Sequence, residues 1–384
     1  MINNYARKSL DGLWVGDCIG NLGTLYFCHD ILKALETGMA KFGGQLDKFQ
    51  KQFQYSDDTE EAIVLYNHLL TNKGNINQDA LAMEFATRYM DRDPDGEIYG
   101  YGLNTRKVLR DIYDGIPWNE ANKIFVKSEG MPSHIDSLVN SLSQGKGYAD
   151  AMKDVNDTLR KQVEERASTN RVKQGSCGNG SAMRIAPLGA FLGQEVDENG
   201  VCKNSPERVI ELATLSAEPT HCHAEGIAGA IATALASYYL VSMPMFTDTI
   251  DNWDDDIMKG YTKDHIGKLY LKYIIKHTPE GEVKNGLVKA LDLSYDVPMP
   301  EVIKILGNGT HVTCQDTVPL CCYMVSKALC RFPKADMYEK VIIETSTAFG
   351  DVDTNCAIVG GIISTIAPTP EKWIKFCQPM EGVL

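Results

Sequence analysis

Nearly every apolar run in this chain repeats at intervals of three and four residues, the period of one face of an α-helix. No run alternates residue by residue as a half-buried strand does, and no repeat of fixed length recurs. The pattern therefore predicts an all-α protein. Helices are expected from residue 5 to about 22, from 56 onward, over 78–90, after 103, in two or three pieces within 118–168, and from Ser205. Others follow over 227–238, 262–278 and 283–293, from Asp316, over 338–348 and after Asp351. Pro, Gly and charge clusters predict loops at 41–55 and 91–97. The residues able to carry chemistry run from position 12 to position 361, so a boundary in the middle would divide them. One domain over residues 1–384 is expected, a compact orthogonal multi-helix bundle.

Two helix starts hold more oxygen donors than capping uses. The first is Ser56-Asp57-Asp58-Thr59-Glu60. Asp57 and Glu60 have capping-box spacing, and acids suit the first turn of a helix. One Asp is thereby explained; the second, with its flanking hydroxyls, is surplus. The other start is Gly350-Asp351-Val352-Asp353-Thr354, in a segment otherwise built for burial. Asp353 or Thr354 could cap the helix that follows, which leaves Asp351 over. Carboxylates and hydroxyls crowded in this way are hard oxygen ligands of the kind Mg²⁺ or Ca²⁺ takes. Two such clusters from distant parts of the chain could jointly hold two divalent ions.

Four other stretches stand out. Gly12, Gly16 and Gly20 share a helix face and predict a close-packed seam, on which Asp17 reads as an exposed residue. Tyr99-Gly100-Tyr101-Gly102 precedes a helix with no strand before it, so its glycines could admit a phosphate without making a dinucleotide fingerprint. Ser176-Cys177-Gly178-Asn179-Gly180-Ser181-Ala182-Met183-Arg184 reads as a connector, or as a loop offering several backbone donors. In Thr220-His221-Cys222-His223 the two imidazoles are too close in sequence for one helical face, and contact with a phosphate or ribose suits them better than metal ligation. The run Asp254–Asp256 reads as a solvated loop.

Charge and cysteine usage exclude some functions. The net charge of −13 argues against nonspecific binding to nucleic acid or to an anionic membrane, both of which need basic surface. Eleven cysteines, an odd number without a CxxC pair, predict reduced, packed thiols and a cytoplasmic protein. Arg7 and Lys8 precede only a short mixed apolar run, so no leader is expected, and no apolar stretch is expected to reach membrane-spanning length.

Taken together, VGDCIG (15–20), SDDTE (56–60), YGYGLNT (99–105), GNGSAMRIAPLG (178–189), THCHAEGIAGA (220–230) and GDVDTNCAIVGG (350–361) resemble the ADP-ribosylglycohydrolase family. That family includes the glycohydrolase that reactivates dinitrogenase reductase and the ADP-ribosyl-acceptor hydrolases. The six motifs occur in the family's order and cover almost the whole chain. The resemblance implies a helical single domain with a central binuclear Mg²⁺ cleft, in which Mn²⁺ can substitute. Carried over by position, the metal ligands are Ser56, Asp57, Asp58, Asp351, Asp353 and Thr354. Asp57 or Asp58 is the candidate catalytic base. ADP-ribose would lie over Tyr99, Gly100, Tyr101 and Gly102, and over Ser176, Cys177, Gly178, Asn179 and Gly180. Met183 would stand near the ribose and His221 near the pyrophosphate or ribose.

The sequence departs from the family pattern in three places. Ser56 stands where Thr is usual, which keeps the hydroxyl. Phe349 stands where many relatives have a second Gly, predicting a tighter turn behind the metals. Members resembling the serine-directed hydrolases carry a Glu a few residues after the GDxxG turn, whereas here no Glu occurs between Gly20 and Glu36. The resemblance thus implies a Mg²⁺-dependent monomer that cleaves the N-glycosidic bond of ADP-ribosyl-arginine on protein. The alternatives are hydrolysis of another ADP-ribosylated or ribosyl small molecule, a noncatalytic ADP-ribose binder, and a metal-dependent phosphohydrolase.

Overall fold

The structure is a computed structural model of the chain. It describes residues 4–21, 36, 40–41, 44–46, 48, 50, 54–123, 125–126, 171–172, 175–243 and 264–384. Five helices come first: α1 (Tyr5–Gly20), α2 (Asp57–Thr71), α3 (Gln78–Arg92), α4 (Leu103–Tyr113) and the single turn α5 (Trp118–Ala121). Two-residue strands β1 (Phe125–Val126) and β2 (Arg171–Val172) pair antiparallel. The middle of the chain forms α6 (Gly180–Met183), α7 (Ala186–Gly193), α8 (Pro206–Ala217) and α9 (Ala224–Ser242). After it come α10 (His265–His277), α11 (Glu282–Asp292), α12 (Met299–Leu306), α13 (Cys314–Arg331), α14 (Lys334–Ser346), α15 (Val352–Ile363) and α16 (Glu371–Ile374). The fold is all-α, as the periodicity predicts.

Helix starts moved where a backbone signal outranked the apolar pattern. Helix α13 opens at Cys314, two residues before Asp316, because extended Thr313 precedes it. Helix α14 opens at Lys334 because Pro333, with φ −58° and ψ 144°, fixes an extended residue there. The helices expected beyond α5 and the Asp254–Asp256 run lie outside the described residues. Part of the loop expected over 41–55 does too; of its described positions, 41, 46, 48 and 50 are helical, whereas 44, 45, 54 and 55 are not.

The two ends of the chain meet at the centre of the molecule. Helix α1 lies along α15, and the expected glycine seam is the contact. A Cβ on Gly12 would stand 2.5 Å from the Gly360 carbonyl oxygen, one on Gly16 would overlap the Cys356 carbonyl, and one on Gly20 would stand 2.5 Å from Asp353 Cα. Side chains larger than hydrogen are therefore excluded along the seam. Ser9 Oγ donates to Gly361 O (2.7 Å) and Tyr338 Oη to Gly12 O (2.6 Å), satisfying carbonyls inside the contact. Around it one continuous core extends from Trp14 to Cys377.

Helix α9, contrary to expectation, is long and apolar enough by composition to cross a membrane, but 83% of its apolar window is buried inside the protein. Its small side chains serve close packing with α7 and α8. All described cysteines are free thiols.

Candidate active site

Ser56 is the N-cap of α2, extended, with Oγ accepting from Asp58 N at 3.2 Å. Glu60 does not close the expected capping box. It is fully buried and paired with Arg88 and Arg92. Two further helix-start donors and a hydroxyl are taken by Asp17, which accepts from Ser56 N (2.9 Å), Thr59 N (3.1 Å) and Thr59 Oγ1 (2.5 Å). The expectation that Asp17 is exposed is wrong: its exposure is 0%. The glycine seam presses α1 so closely onto α15 that this side of the helix has no route to solvent.

Asp58 Oδ2 accepts from Ser56 Oγ (2.8 Å) and Thr354 Oγ1 (3.3 Å), a bond that joins the two acidic stretches. Asp58 Oδ1 is buried and has no hydrogen-bond partner. Asp17, Asp58 and Asp353 each present an oxygen within 4.8 Å of the other two. Asp351 stands at the N-cap position of α15 without a side-chain capping bond, and it accepts from Asn179 Nδ2 at 2.7 Å. All six predicted ligands thus gather where the N-termini of α2 and α15 meet, and those positive dipole ends favour the carboxylates.

Burial pushes the carboxyl of Asp58 well above its usual range, reinforced by Asp17, Asp353, Asp57 and Asp351. Asp57 shifts the same way, from burial and then from Glu61 and the other acids. Burial and Asp353 raise Asp351 against the lowering Asn179 bond. Asp17 is pushed up to about 7 by burial and Asp353. Carboxylates this close cannot all ionise without a cation between them. A buried, unpartnered carboxylate oxygen among hard oxygen donors fits a divalent ion of the Mg²⁺ type.

Glycine turns lie beside this cluster. Asp57 N donates to Tyr99 O (2.8 Å), which anchors the 99–102 turn to α2. Asp93, read from sequence as part of a charged loop, is buried and accepts from Glu97 N, Ile98 N and Tyr99 N, shaping the approach. Tyr99 stacks on Tyr55 with centroids 5.4 Å apart, and Tyr101 meets Tyr89 edge-on at 5.0 Å. Both tyrosine rings are core, so only Gly100 and Gly102 offer exposed backbone. Gly100 holds φ +80°, which favours glycine.

On the other side, Cys177 O accepts from Cys314 N (2.9 Å), and Asn179 N donates to Val312 O (3.2 Å). Ser176 Oγ accepts from Gly178 N at 3.0 Å, and Cys177 is half-buried. Asn179 Nδ2 also reaches Thr317 Oγ1 (3.0 Å), so one amide ties this loop to α13 and to Asp351. Gly180 begins α6. Met183, predicted beside the ribose, lies in the core at 4% exposure. His221 is buried beneath the loop, with its ring filling the places of absent side chains on Gly178 and Gly180.

Sequence reading missed Asn308 and Gly309. Asn308 O accepts from Asp351 N (3.2 Å) and Asn355 Nδ2 (2.7 Å), while its own Nδ2 donates to Ala348 O (2.9 Å). A Cβ on Gly309, at φ +85°, would stand 2.5 Å from Asp351 Cβ. The Asn-Gly pair was visible as a turn signal, but nothing in sequence connects it to a turn forty residues away. Phe349 takes φ +56° and Gly350 φ +74°, so the turn that presents Asp351 has two successive left-handed residues.

Two helix N-termini facing each other over clustered carboxylates and hydroxyls, with glycine turns beside them, define an all-α protein with a buried acidic cluster whose donors fit a hard cation. The chain belongs to the ADP-ribosylglycohydrolase family, whose sequence model matches residues 2–381. It is similar to ADP-ribosylhydrolase ARH3 of Xenopus tropicalis, 26% identical over 94% of this chain and 83% of that protein. ADP-ribosylhydrolase ARH3 of Mus musculus and of Homo sapiens are each 23% identical over 98% of this chain, covering 88% and 89% of those proteins.

Proposed function

We propose that this protein is a Mg²⁺-dependent hydrolase that cleaves the bond between ADP-ribose and an acceptor, and that the acceptor is arginine on a modified protein. The observation that carries the metal-dependent reading is Asp58 Oδ1, a buried carboxylate oxygen without a partner among further carboxylates. Family membership supports the ADP-ribosyl bond. Two Mg²⁺ ions, replaceable by Mn²⁺, would be held by Ser56, Asp57, Asp58, Asp351, Asp353 and Thr354. When bound, such ions supply charge neutralisation and make a nearby water more acidic.

The chain's own residues do the rest. Asp57 is less enclosed than Asp58 and is the better placed to accept the proton of the attacking water. The surrounding carboxylates stabilise positive charge developing on the sugar. Asn179 holds Asp351 in place, and Gly100 and Gly102 admit the ligand to backbone distance. The arginine acceptor rests on the absence of Glu from 21–35, a stretch mostly outside the described residues. A departing guanidine is basic enough to need no dedicated acid.

The test is release of ADP-ribose from ADP-ribosyl-arginine and ADP-ribosyl-serine peptides, with EDTA and after Mg²⁺ is restored. Release from the arginine peptide, stopped by EDTA and recovered with Mg²⁺, is expected. Release from the serine peptide alone refutes the arginine acceptor, and release from neither refutes the hydrolase.

A further inference from the structure

A chain of buried polar side chains leads from α2 to the loop at 178–180. Glu61 lies one turn beyond Asp57 on α2, and its Oε2 accepts from Arg184 Nη1 at 2.6 Å; both side chains are essentially fully buried. Arg184 packs over the ring of Phe85, and its Nη2 donates to Ser216 O (2.8 Å) and Thr220 Oγ1 (2.9 Å). Thr220 Oγ1 is in turn 2.8 Å from His221 Nδ1. The far edge of the imidazole faces the loop: Nε2 is 3.3 Å from where a Cβ on Gly178 would stand and 2.8 Å from where one on Gly180 would stand.

The directions of these bonds are determined by donor chemistry. A guanidinium only donates, so Thr220 Oγ1 accepts from Arg184. The hydroxyl keeps one proton, and among the described residues the acceptor within hydrogen-bond distance of it is His221 Nδ1. An Nδ1–H would face that proton and leave it without an acceptor at a buried site. We propose that Arg184 and Thr220 are positioning residues that hold His221 as the Nε2–H tautomer, so that one fixed N–H donor supports the Gly178–Gly180 loop against an anionic ligand. The ligand half of this inference rests on the ADP-ribose reading above; the tautomer half does not. Burial, with Arg184 nearby, lowers the His221 pKa to about 3, so the ring stays neutral at ordinary pH and carries one N–H.

Arg184→Ala would strand buried Glu61 and unfold the protein, so the working variant is the isosteric Thr220→Val, with Thr220→Ser as the conservative rescue. ¹⁵N-histidine NMR of the metal-free protein should show His221 Nδ1 unprotonated and Nε2 protonated. Thr220→Val should mix or reverse the tautomers and weaken ADP-ribose binding by about tenfold in calorimetry, with Mg²⁺ affinity unchanged and Thr220→Ser restoring both. A protonated Nδ1 in the wild type, or a Thr220→Val spectrum and ADP-ribose affinity like wild type, overturns the proposal. Failure of the wild type to bind ADP-ribose refutes the ligand half and the ADP-ribose reading together, while the spectrum still decides the tautomer.

Discussion

Asp58 gives one oxygen to two hydroxyls and leaves the other without a donor. A carboxyl whose folded pKa is raised stabilises the fold below its unfolded pKa, near 4, and loses that stabilisation as pH rises through the folded value. Asp58 is such a group. In EDTA, Asp58→Asn should therefore raise Tm by about 2 °C or more at pH 8, and the gain should vanish toward pH 4, where wild-type Asp58 is itself protonated. Thermal scans across pH measure this directly, and an equal gain at both ends would disprove the charge argument. The same substitution should abolish turnover. Asp57→Asn and Asp353→Asn should each slow ADP-ribose release by at least about 10²-fold with the fold intact; wild-type rates in both would remove them from the chemistry. The two oxygen-rich helix starts were legible as holding more donors than capping uses, and the six candidate ligands followed from the family resemblance. Asp17 was not, because a lone Asp on a glycine seam looks solvated until one knows which helix covers it.

The α1–α15 seam and the start of α2 behave as one unit. Gly16 lets α1 reach the Cys356 carbonyl, and that approach places Asp17 at the first turn of α2. Gly16→Ala should destabilise the protein by about 1–3 kcal/mol, because backbone rather than a yielding side chain opposes the new methyl. It should also weaken Mg²⁺ binding, since α2 would lose the Asp17 acceptor at its first turn; chemical denaturation and metal titration read the two effects. Gly102 is the opposite case. It has φ −60°, and its nearest obstruction is Thr105 Oγ1 at 3.8 Å. Gly102→Ala should change stability by less than about 1 kcal/mol while raising KM, because the exposed backbone is where the proposed ligand would approach. Helix bodies were legible because an apolar face must repeat every three to four residues. The starts of α13 and α14 were displaced because an extended Thr313 and Pro333 decide where helical backbone begins, and apolar spacing does not record that.

Across the whole molecule, elements from both ends and the middle of the chain converge on one centre, so a cation held there as proposed would be linked to folding. Saturating Mg²⁺ at about 100 times its Kd should add about 2.7 kcal/mol to unfolding. The increment should appear as an upward shift of a single transition, and Asp353→Asn should lose most of it. A shift that persists undiminished in that variant would place the stabilising cation elsewhere. The buried Glu61–Arg184 pair joins α2 to the residue ending α6, which gives the centre a rigid base. By itself the sequence determined the helical class, the positions of the oxygen donors and the family, because periodicity and motif spacing are properties of a one-dimensional chain. Tertiary structure alone decided that Asp17 belongs to the centre, that Tyr99, Tyr101 and Met183 are core, and that Asn308 supports Asp351. Burial and hydrogen-bond partners depend on which distant element lies opposite, and the spacing of residues along one chain carries no record of that.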